Sequence, residues 1–436
     1  MFKGKKIGRP RGTRDFMPNE MIRRRFVMEK IQRVFENYGF DEIETPAFER
    51  WDVLAAKCGE EIREQIYKFE DRGGRLLGLR FDLTVPLARL VASNPTIPKP
   101  FKRYCISRVW RYEEPQSGRF REFWQADADV IGSDKMDADV EVLAVAADCL
   151  KALGFTDFTF RLSNRKILDG FVKIASIPES KTLDVFRAFD KLDKIGLSGV
   201  RKELSRRGIS QESSEVLLAS ISLKGVGEIP EEARKLLRGI KVADEGLNEL
   251  GEILEKTADY AIAGKFIVDF SLVRGLDYYT GPIYEIVVRA EKNVGSVAGG
   301  GRYDNLIALY GGGPSPATGI SLGIERIVEI MKDEGMFNQP KTLVKLFVST
   351  VDESVQKDAL AIAKRSREAG ISTEVDLMGR RLTKQLEHAD SKGIPYVLVV
   401  GPEEVQRGKF RLKLMETREE REVTVDELMQ MLSCGK

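Results

Sequence analysis

The stretch that decides the fold is residues 103–130, RYCISRVWRYEEPQSGRFREFWQADADV. It reads as two strands joined by a short loop, EPQSG, from Glu114 to Gly118, because Pro and Gly mark turns and the flanks are rich in Tyr, Trp, Phe and Val. Side chains alternate between faces along a strand. On the second strand, one face is then expected to carry Arg119, Arg121, Phe123, Gln125 and Asp129, and the other Phe120, Trp124, Ala126, Ala128 and Val130. The second set has the character of a core. The first is a polar row beside one aromatic ring, and charged side chains are seldom fully buried unless paired. Arg111 and Glu113 end the first strand, where a hairpin brings them near Arg119 and Arg121. Such a row suits a bound nucleotide. Guanidinium forks grip phosphate oxygens in pairs, Phe123 offers a flat face to a base, and Glu113 is placed to accept from an exocyclic amine. The plainer alternative is a solvated strand face with ion pairs. The interleaved aromatics, the tight loop and matching signals near residues 274 and 326 weigh against it.

Composition narrows the chemistry. A chain of 436 residues exceeds what one core holds, so two or three domains are expected. Hydrophobic content of 42% and charged content of 32% fit a soluble globular protein. With a formal net charge of +2, any surface for a polyanion has to be local. Cys58, Cys105, Cys149 and Cys434 form no C-x-x-C pair, which argues against a zinc ribbon and for free thiols in a reducing cytosol. The basic N-terminus lacks a signal peptide's apolar core, and no apolar run is long enough to span a bilayer, so a cytoplasmic protein with no membrane partner is expected. The single histidine, His388, lies in a lysine-rich helical stretch, and any triad or His-ligated metal would have to rest on it. Arginines, carboxylates and backbone groups remain to carry the chemistry. That favours phosphoryl or nucleotidyl transfer, in which positioning and charge stabilisation do most of the catalysis.

Ahead of the hairpin, RPRGTRDFM (9–17) is a basic loop, and Pro18 opens a helix at a position where its missing N–H is harmless. Met21, Ile22, Phe26, Ile31, Val34, Phe35 and Tyr38 give that helix its apolar spacing, and Gly39 ends it. The strand closed by Pro46 is expected at an edge or an interface. In LRFDLTVPLARLVA, Asp82 and Thr84 lie between a strand and a helix beginning near Pro86. They either point into the cleft beneath the hairpin or cap the helix. Residues 166–265 are Lys/Glu/Leu-rich and helical in pattern, with charged faces that are solvated or, alternatively, meet a long polyanion. LVRGLDYYTGPIYEIVV (272–288) sets Tyr278 and Tyr279 near Arg274 and Asp277, a setting for a small polar ligand. The three glycines of GSVAGGGRYDNL (295–306) permit close backbone approach, without the G-K-[ST] of a P-loop. In ATGISLGIERIVEIMK (317–332), Arg326 falls off the helix's core face and leans over a site at the helix start. QPKTL (339–343) is the expected domain boundary. Beyond it, strands and helices alternate as in a small α/β domain with a largely parallel sheet. Arg380, Arg381 and Lys384 cluster beyond its strands' carboxyl ends, where ligands of such sheets bind, or else form an ordinary solvated loop.

RGTRDF, VWRYEEPQSGRFREFWQ, LVRGLDYYTG, GGGRYDNL and GISLGIERI, in this order, resemble the histidine–tRNA ligase family of class II aminoacyl-tRNA synthetases, motifs 2 and 3 included. LRFDLTVPLAR and QADADV are similar to its archaeal and eukaryotic branch, and the stretch ending at Pro46 to motif 1, at the family's dimer interface. The resemblance implies a class II α+β catalytic domain with an antiparallel sheet over 1–165 and 266–335, a helical insertion over 166–265, and a C-terminal α/β anticodon-binding domain over 340–436. It also implies a cytoplasmic homodimer that attaches L-histidine to tRNA(His) through a histidyl-adenylate, with ATP as substrate and Mg2+ on ligands it does not identify. Carried over, Arg111 and Arg274 hold the α-phosphate and the substrate carboxylate, and Phe123 and Arg326 sandwich adenine. Glu113 takes adenine's amine, and Arg119 the distal phosphates. Asp82, Thr84 and Gln125 hold the α-amino group, while Asp129, Tyr279 and Tyr303, with Tyr278 beside them, read the imidazole, for which a carboxylate and a phenol suffice. Arg380, Arg381 and Lys384 become tRNA contacts. The nearest alternative is a non-catalytic regulatory subunit of histidine biosynthesis, which usually lacks the C-terminal domain and parts of the catalytic signatures. A class II ligase for proline, threonine or glycine is opposed by RGLDYYTG, and an inactive tRNA-binding module by Arg111, Arg274 and Arg326.

Overall fold

The computed structural model describes residues 8–56, 59–115, 119–262, 265–273, 278–289 and 295–433. In chain order the strands are β1 (Asp41–Glu42), β2 (Phe48–Arg50), β3 (Lys68–Glu70), β4 (Leu76–Leu79), β5 (Phe101–Trp110), β6 (Glu122–Ile131), β7 (Phe158–Asn164), β8 (Lys224–Val226) and β9 (Lys265–Asp269). They continue with β10 (Pro282–Val288), β11 (Ser296–Arg302), β12 (Ala317–Gly323), β13 (Leu346–Thr350), β14 (Thr373–Val375), β15 (Tyr396–Val400), β16 (Phe410–Leu414) and β17 (Glu420–Val423). The chain divides into two compact units: residues 26–336 with the described residues before 16, and residues 337–433 with 16–25.

The first unit is built on a nine-stranded sheet in the order β1-β5-β6-β12-β11-β10-β7-β9-β8. From β5 to β7 every neighbouring pair is antiparallel, as the sequence predicts. The sheet as a whole is mixed, because β1–β5 and β7–β9 pair in parallel. Parallel neighbours need a long crossover, and here the connections are residues 43–100 and the whole 165–264 segment. β1 lies at one edge, where the nearby Pro46 costs no ladder hydrogen bond. The expected hairpin is present: β5 and β6 pair from Phe101↔Ile131 to Trp110↔Glu122, and the centre of its loop, residues 116–118, lies outside the described residues. The helix Met136–Ala152 covers one face, burying Val140, Leu143, Val145 and Ala147 completely or nearly so. Each large aliphatic side chain so removed from water contributes roughly 1.5–3 kcal/mol.

Within residues 166–265 the expected helical pattern is borne out by helices such as Thr182–Phe189, Gln211–Ile221 and Lys241–Asp259. One strand departs from it: β8 pairs antiparallel with β9 and extends the main sheet. The opening helix is Pro18–Asn37, which buries Val27, Ile31 and Phe35, spaced one turn apart, and ends before Gly39 in the left-handed region, φ +72°.

The second unit has a five-stranded sheet, β14-β13-β15-β16-β17, over a core that includes Leu346, Val348, Ile362, Leu398, Val400 and Leu428. Here the largely parallel sheet predicted from the sequence needs correction. β14, β13 and β15 are parallel, but β15–β16 and β16–β17 are antiparallel. The connections 401–409 and 415–419 are too short for a crossover, so the chain turns back on itself.

Candidate active site

Alternation along β6 brings Phe123, Gln125, Asp127 and Asp129 to one cavity of about 420 Å³ in the first unit. That size is ordinary for a small-ligand site. Arg111, Glu113, Arg119 and Arg326 also line it, as do Asp82, Thr84, Tyr278, Tyr279 and Tyr303. Of the cleft residues singled out from the sequence, Arg121 does not line the cavity, and Arg274 and Asp277 lie outside the described residues; the others converge.

One part of the lining carries arginines. Arg111 follows the last residue of β5; its Nε donates to the Phe81 carbonyl at 2.9 Å, and its guanidinium carbon stands 5.2 Å from the Phe123 ring centroid. Arg119 and Glu113 approach to 3.9 Å across the hairpin loop. Arg326 is in the first turn of the helix Ile324–Asp333 and donates to the Ser296 carbonyl. These side chains leave planar cationic faces at a half-exposed aromatic ring, which suits phosphates and a base.

The other part is acidic and buried. Asp129 sits opposite Arg103 in the β5–β6 register, and Arg103, with no solvent exposure, forms a 2.7 Å ion pair with Asp129 Oδ2. The Tyr303 hydroxyl donates to Asp129 Oδ1. Burial pushes the Asp129 carboxyl up, while Arg103 and the Tyr303 hydrogen bond pull it back. Asp82 resolves both readings open in the sequence: Oδ1 accepts from the Val85 N–H at 3.0 Å, while Oδ2 is buried among the cavity lining with no hydrogen-bond partner among the described residues. The helix starts at Thr84, near the expected Pro86, with Leu83 at its N-cap and the Asp82 side chain accepting from its first turn. Burial raises Asp82 to about 6 and Asp127 to about 7. Tyr278 and Tyr279 stack edge-on at 4.7 Å, and Tyr278 lies 6.4 Å from Tyr303 in the same manner. Burial lifts all three phenols above their ordinary range, so they act as neutral hydrogen-bonding groups.

The glycines explain how this end is assembled. A Cβ on Gly319 would lie 2.0 Å from Asp129 Oδ1, and one on Gly301 would lie 2.7 Å from the Pro282 carbonyl and 3.0 Å from the Tyr279 ring. No side chain fits at either place. Arg302, which follows the glycines, faces the helix Met136–Ala152. Its Nε donates to Asp139 Oδ2 at 3.0 Å, and Tyr284 (2.6 Å) and Thr318 (2.9 Å) donate to Asp139 Oδ1. This buried network pins the helix to three strands beneath the cavity.

Two parts of the hairpin expectation change. β6 begins at Glu122, so strand alternation does not extend to residues 119–121. Phe120, expected in the core, lines the cavity, and Arg121, expected in the polar row, is buried with its Nε on the Glu113 carbonyl at 3.0 Å and its guanidinium over the Tyr112 ring. Sequence reading also missed Asp127 and Arg103. The signal for Asp127 was the alternation itself, which passes through 127 between Gln125 and Asp129. Arg103 became visible only with the hairpin register.

In the second unit, Arg380 Nε donates to Asp376 Oδ1 at 2.6 Å and Lys384 Nζ to Glu387 at 2.6 Å; Arg381 is exposed. Gln385, 1% exposed, accepts from the Thr350 N–H and donates to the carbonyls of Thr350 and Arg380, tying the loop to the end of β13. His388 pairs with Glu374 at 2.8 Å in this same unit.

The family profile described as histidyl-tRNA synthetase matches residues 12–327, and one described as anticodon binding domain matches residues 345–434. A histidine–tRNA ligase from Pyrococcus furiosus is 38% identical over 98% of both chains. One from Aeropyrum pernix is 44% identical over 92% of both. The crystal structure of a histidyl-tRNA synthetase from a Nostoc species superimposes with a TM-score of 0.82 at 30% identity, covering 99% of each chain.

Proposed function

The chain belongs to the histidyl-tRNA synthetase family, and from that premise we propose how its cleft divides the work of the reaction. The enzyme is a class II histidine–tRNA ligase. It uses ATP to activate L-histidine and transfers the histidyl group to tRNA(His); the non-catalytic regulatory alternative is not favoured.

The observation that carries the residue assignments is the polarity of the cavity: half-buried arginines beside an aromatic ring on one side, and buried carboxyls with Tyr303 and the half-buried Tyr278 and Tyr279 on the other. At the arginine side, Phe123 and Arg326 take adenine, Glu113 its amine, and Arg119 the distal phosphates. Arg111, with Arg274, neutralises the α-phosphate and the histidine carboxylate. As the carboxylate oxygen attacks the α-phosphorus and pyrophosphate leaves, negative charge grows beside the Arg111 guanidinium, and a cation fixed in a partly dry cleft stabilises it without reorganising. At the acidic side, Asp82, Thr84 and Gln125 receive the α-ammonium. The Asp129–Tyr303 pair and Tyr279, phenols held neutral by burial, supply the donor and acceptor that an imidazole needs. A site built on such buried bonds rejects amino acids that leave them unmade.

Mg2+ fits as a companion of ATP. No group of three or more metal-ligating side chains stands among the described residues, so the phosphates themselves would furnish most of its ligands, and Glu325, a carboxylate of the cavity lining next to Arg326, could add one. When bound, it neutralises phosphate charge as pyrophosphate departs. The second unit would receive the tRNA anticodon, with Arg380, Arg381 and Lys384 as contacts. A homodimer in the cytoplasm completes the reading. Among the described residues no helix is long and apolar enough to cross a membrane.

The test is ATP–pyrophosphate exchange with the full-length protein, one amino acid at a time. Exchange with histidine alone supports the pocket assignment. Exchange with proline, threonine or glycine would overturn it, and none with any amino acid from a folded sample would return the regulatory reading.

A further inference from the structure

We propose that Asp127 is a second carboxylate ligand for the α-ammonium of histidine, together with Asp82 of the same cavity lining. This deepens the histidine-ligase reading and rests on it.

Asp127 lies in the middle of β6, opposite Cys105 of β5 and Ser321 of β12, and is only 3% exposed. It lines the same cavity as Asp82 and Gln125. Three buried oxygens there, Asp127 Oδ1, Asp82 Oδ2 and Gln125 Oε1, have no hydrogen-bond partner among the described residues. Gln125 directs its amide nitrogen to Ser321 at 2.7 Å, which leaves its oxygen as an acceptor. A buried polar atom without a partner is costly, and three acceptors lining one cavity call for a donor with several protons. An ammonium has three and carries the opposite charge.

The charge balance points the same way. Arg103 is fully buried at this end, and its Nη2 forms the 2.7 Å ion pair with Asp129. Asp127 and Asp82 are then two further buried acids near one cation, and the charges of Asp129 and Asp82 add to the rise of the Asp127 pKa. Arg111, whose charge lowers the Asp82 pKa, is the residue assigned to the substrate carboxylate. What the acidic end lacks is a small cation, and the α-ammonium is the part of the substrate that brings one. The imidazole already has Asp129, Tyr303 and Tyr279.

The test compares wild type with Asp127→Asn, which keeps the shape, and Asp127→Ala, which removes the polar group. Histidine is assayed in ATP–pyrophosphate exchange. Histidinol (ammonium, no carboxylate) and 3-(imidazol-4-yl)propanoate (carboxylate, no ammonium) are assayed as inhibitors. Losing a charged partner predicts that KM for histidine and Ki for histidinol rise by ~10–100-fold in both variants. Ki for the propanoate and KM for ATP should stay within about twofold of wild type. If the propanoate weakens in parallel, Asp127 serves the imidazole or the fold, and the assignment is overturned. A histidine KM within about twofold of wild type overturns it as well. Wild type without histidine exchange would instead remove the ligase reading itself.

Discussion

Two polar clusters in this chain look alike on paper and differ in the structure. In the cleft row, Asp127 and Asp129 with Asp82 are buried and Gln125 is half-buried, and several of their oxygens have no hydrogen-bond partner among the described residues. The Arg380–Lys384 cluster is largely exposed, and two of its three cations are tied to neighbouring carboxylates. Unsatisfied buried atoms are expensive, so a protein that keeps them holds a place for a ligand. Exposed and satisfied charges ask for nothing. By this measure the cleft declares its function from its own geometry, whereas the C-terminal cluster relies on the family to which the chain belongs.

The comparison first predicts where substitutions hurt most. Arg111→Ala should lower the rate of histidine-dependent ATP–pyrophosphate exchange by ~100–1000-fold, or about 3–4 kcal/mol, as expected for a fixed donor at developing charge. Circular dichroism should be unchanged, because among the described residues the guanidinium's hydrogen bond into the fold is the one to the Phe81 carbonyl. A loss below about threefold would break the division of labour proposed for the cleft.

Gly319→Ala comes next. The added methyl would sit 2.0 Å from Asp129 Oδ1 and 3.0 Å from the Ala128 carbonyl, and both belong to a central strand that cannot retreat. Overpacking of this kind should cost about 3 kcal/mol in denaturant unfolding and abolish histidine activation by displacing the Asp129–Arg103 pair. A stable, active variant would mean that this end is less tightly built than its contacts indicate.

The sequence carried much of this before the structure did, and the failures have definite causes. Phe123, Gln125 and Asp129 were legible because period-two alternation is local. Asp127 belongs to the same series but stands between Ala126 and Ala128, where small neighbours draw the eye to the core. The partner of Asp129 was not legible, since Arg103 lies 26 positions back and meets it only through the hairpin register. Alternation was carried too far at residues 119–121, where the backbone is not yet a strand. In the second unit the alternating strands and helices were correctly seen, but strand direction depends on connection length, and β15, β16 and β17 are joined too tightly to run parallel. Gln385, unassigned from sequence, proved to be a clamp whose partners Thr350 and Arg380 come from separate segments.

A third prediction separates binding from stability within the acidic end. Asp127 titrates at about 7 in the fold against an ordinary 3.8, chiefly through burial, with Arg103 opposing and Asp129 and Asp82 adding to the rise. Between those values the folded chain holds a proton that the unfolded chain has lost, so this group's contribution to stability is present below pH 4 and disappears as pH rises through 7. Asp127→Asn carries no such titration. Measured without ligands, it should gain stability relative to wild type as pH goes from 5 to 8, by on the order of 2 kcal/mol. It should do so while binding histidine more weakly. A difference that stays flat with pH would show that the charge on Asp127 is already compensated in the empty cleft.

The smallest effect is expected where the charges are already satisfied. Arg380→Ala with Arg381→Ala should leave ATP–pyrophosphate exchange unchanged and weaken tRNA charging by ~3–10-fold, with a shallower salt dependence of the tRNA KM. Most of that loss should belong to Arg381. The Arg380 guanidinium is held by Asp376 at 2.6 Å and its carbonyl by Gln385, so it acts mainly in shaping the loop. The single variants separate the two roles. Arg381→Ala should reproduce most of the double variant's salt effect, whereas Arg380→Ala should chiefly lower the stability of the loop. If Arg380→Ala alone abolishes the salt effect, the Asp376 pair must open to release a cation to RNA, and satisfaction in the free protein would no longer distinguish a resting surface from a binding one.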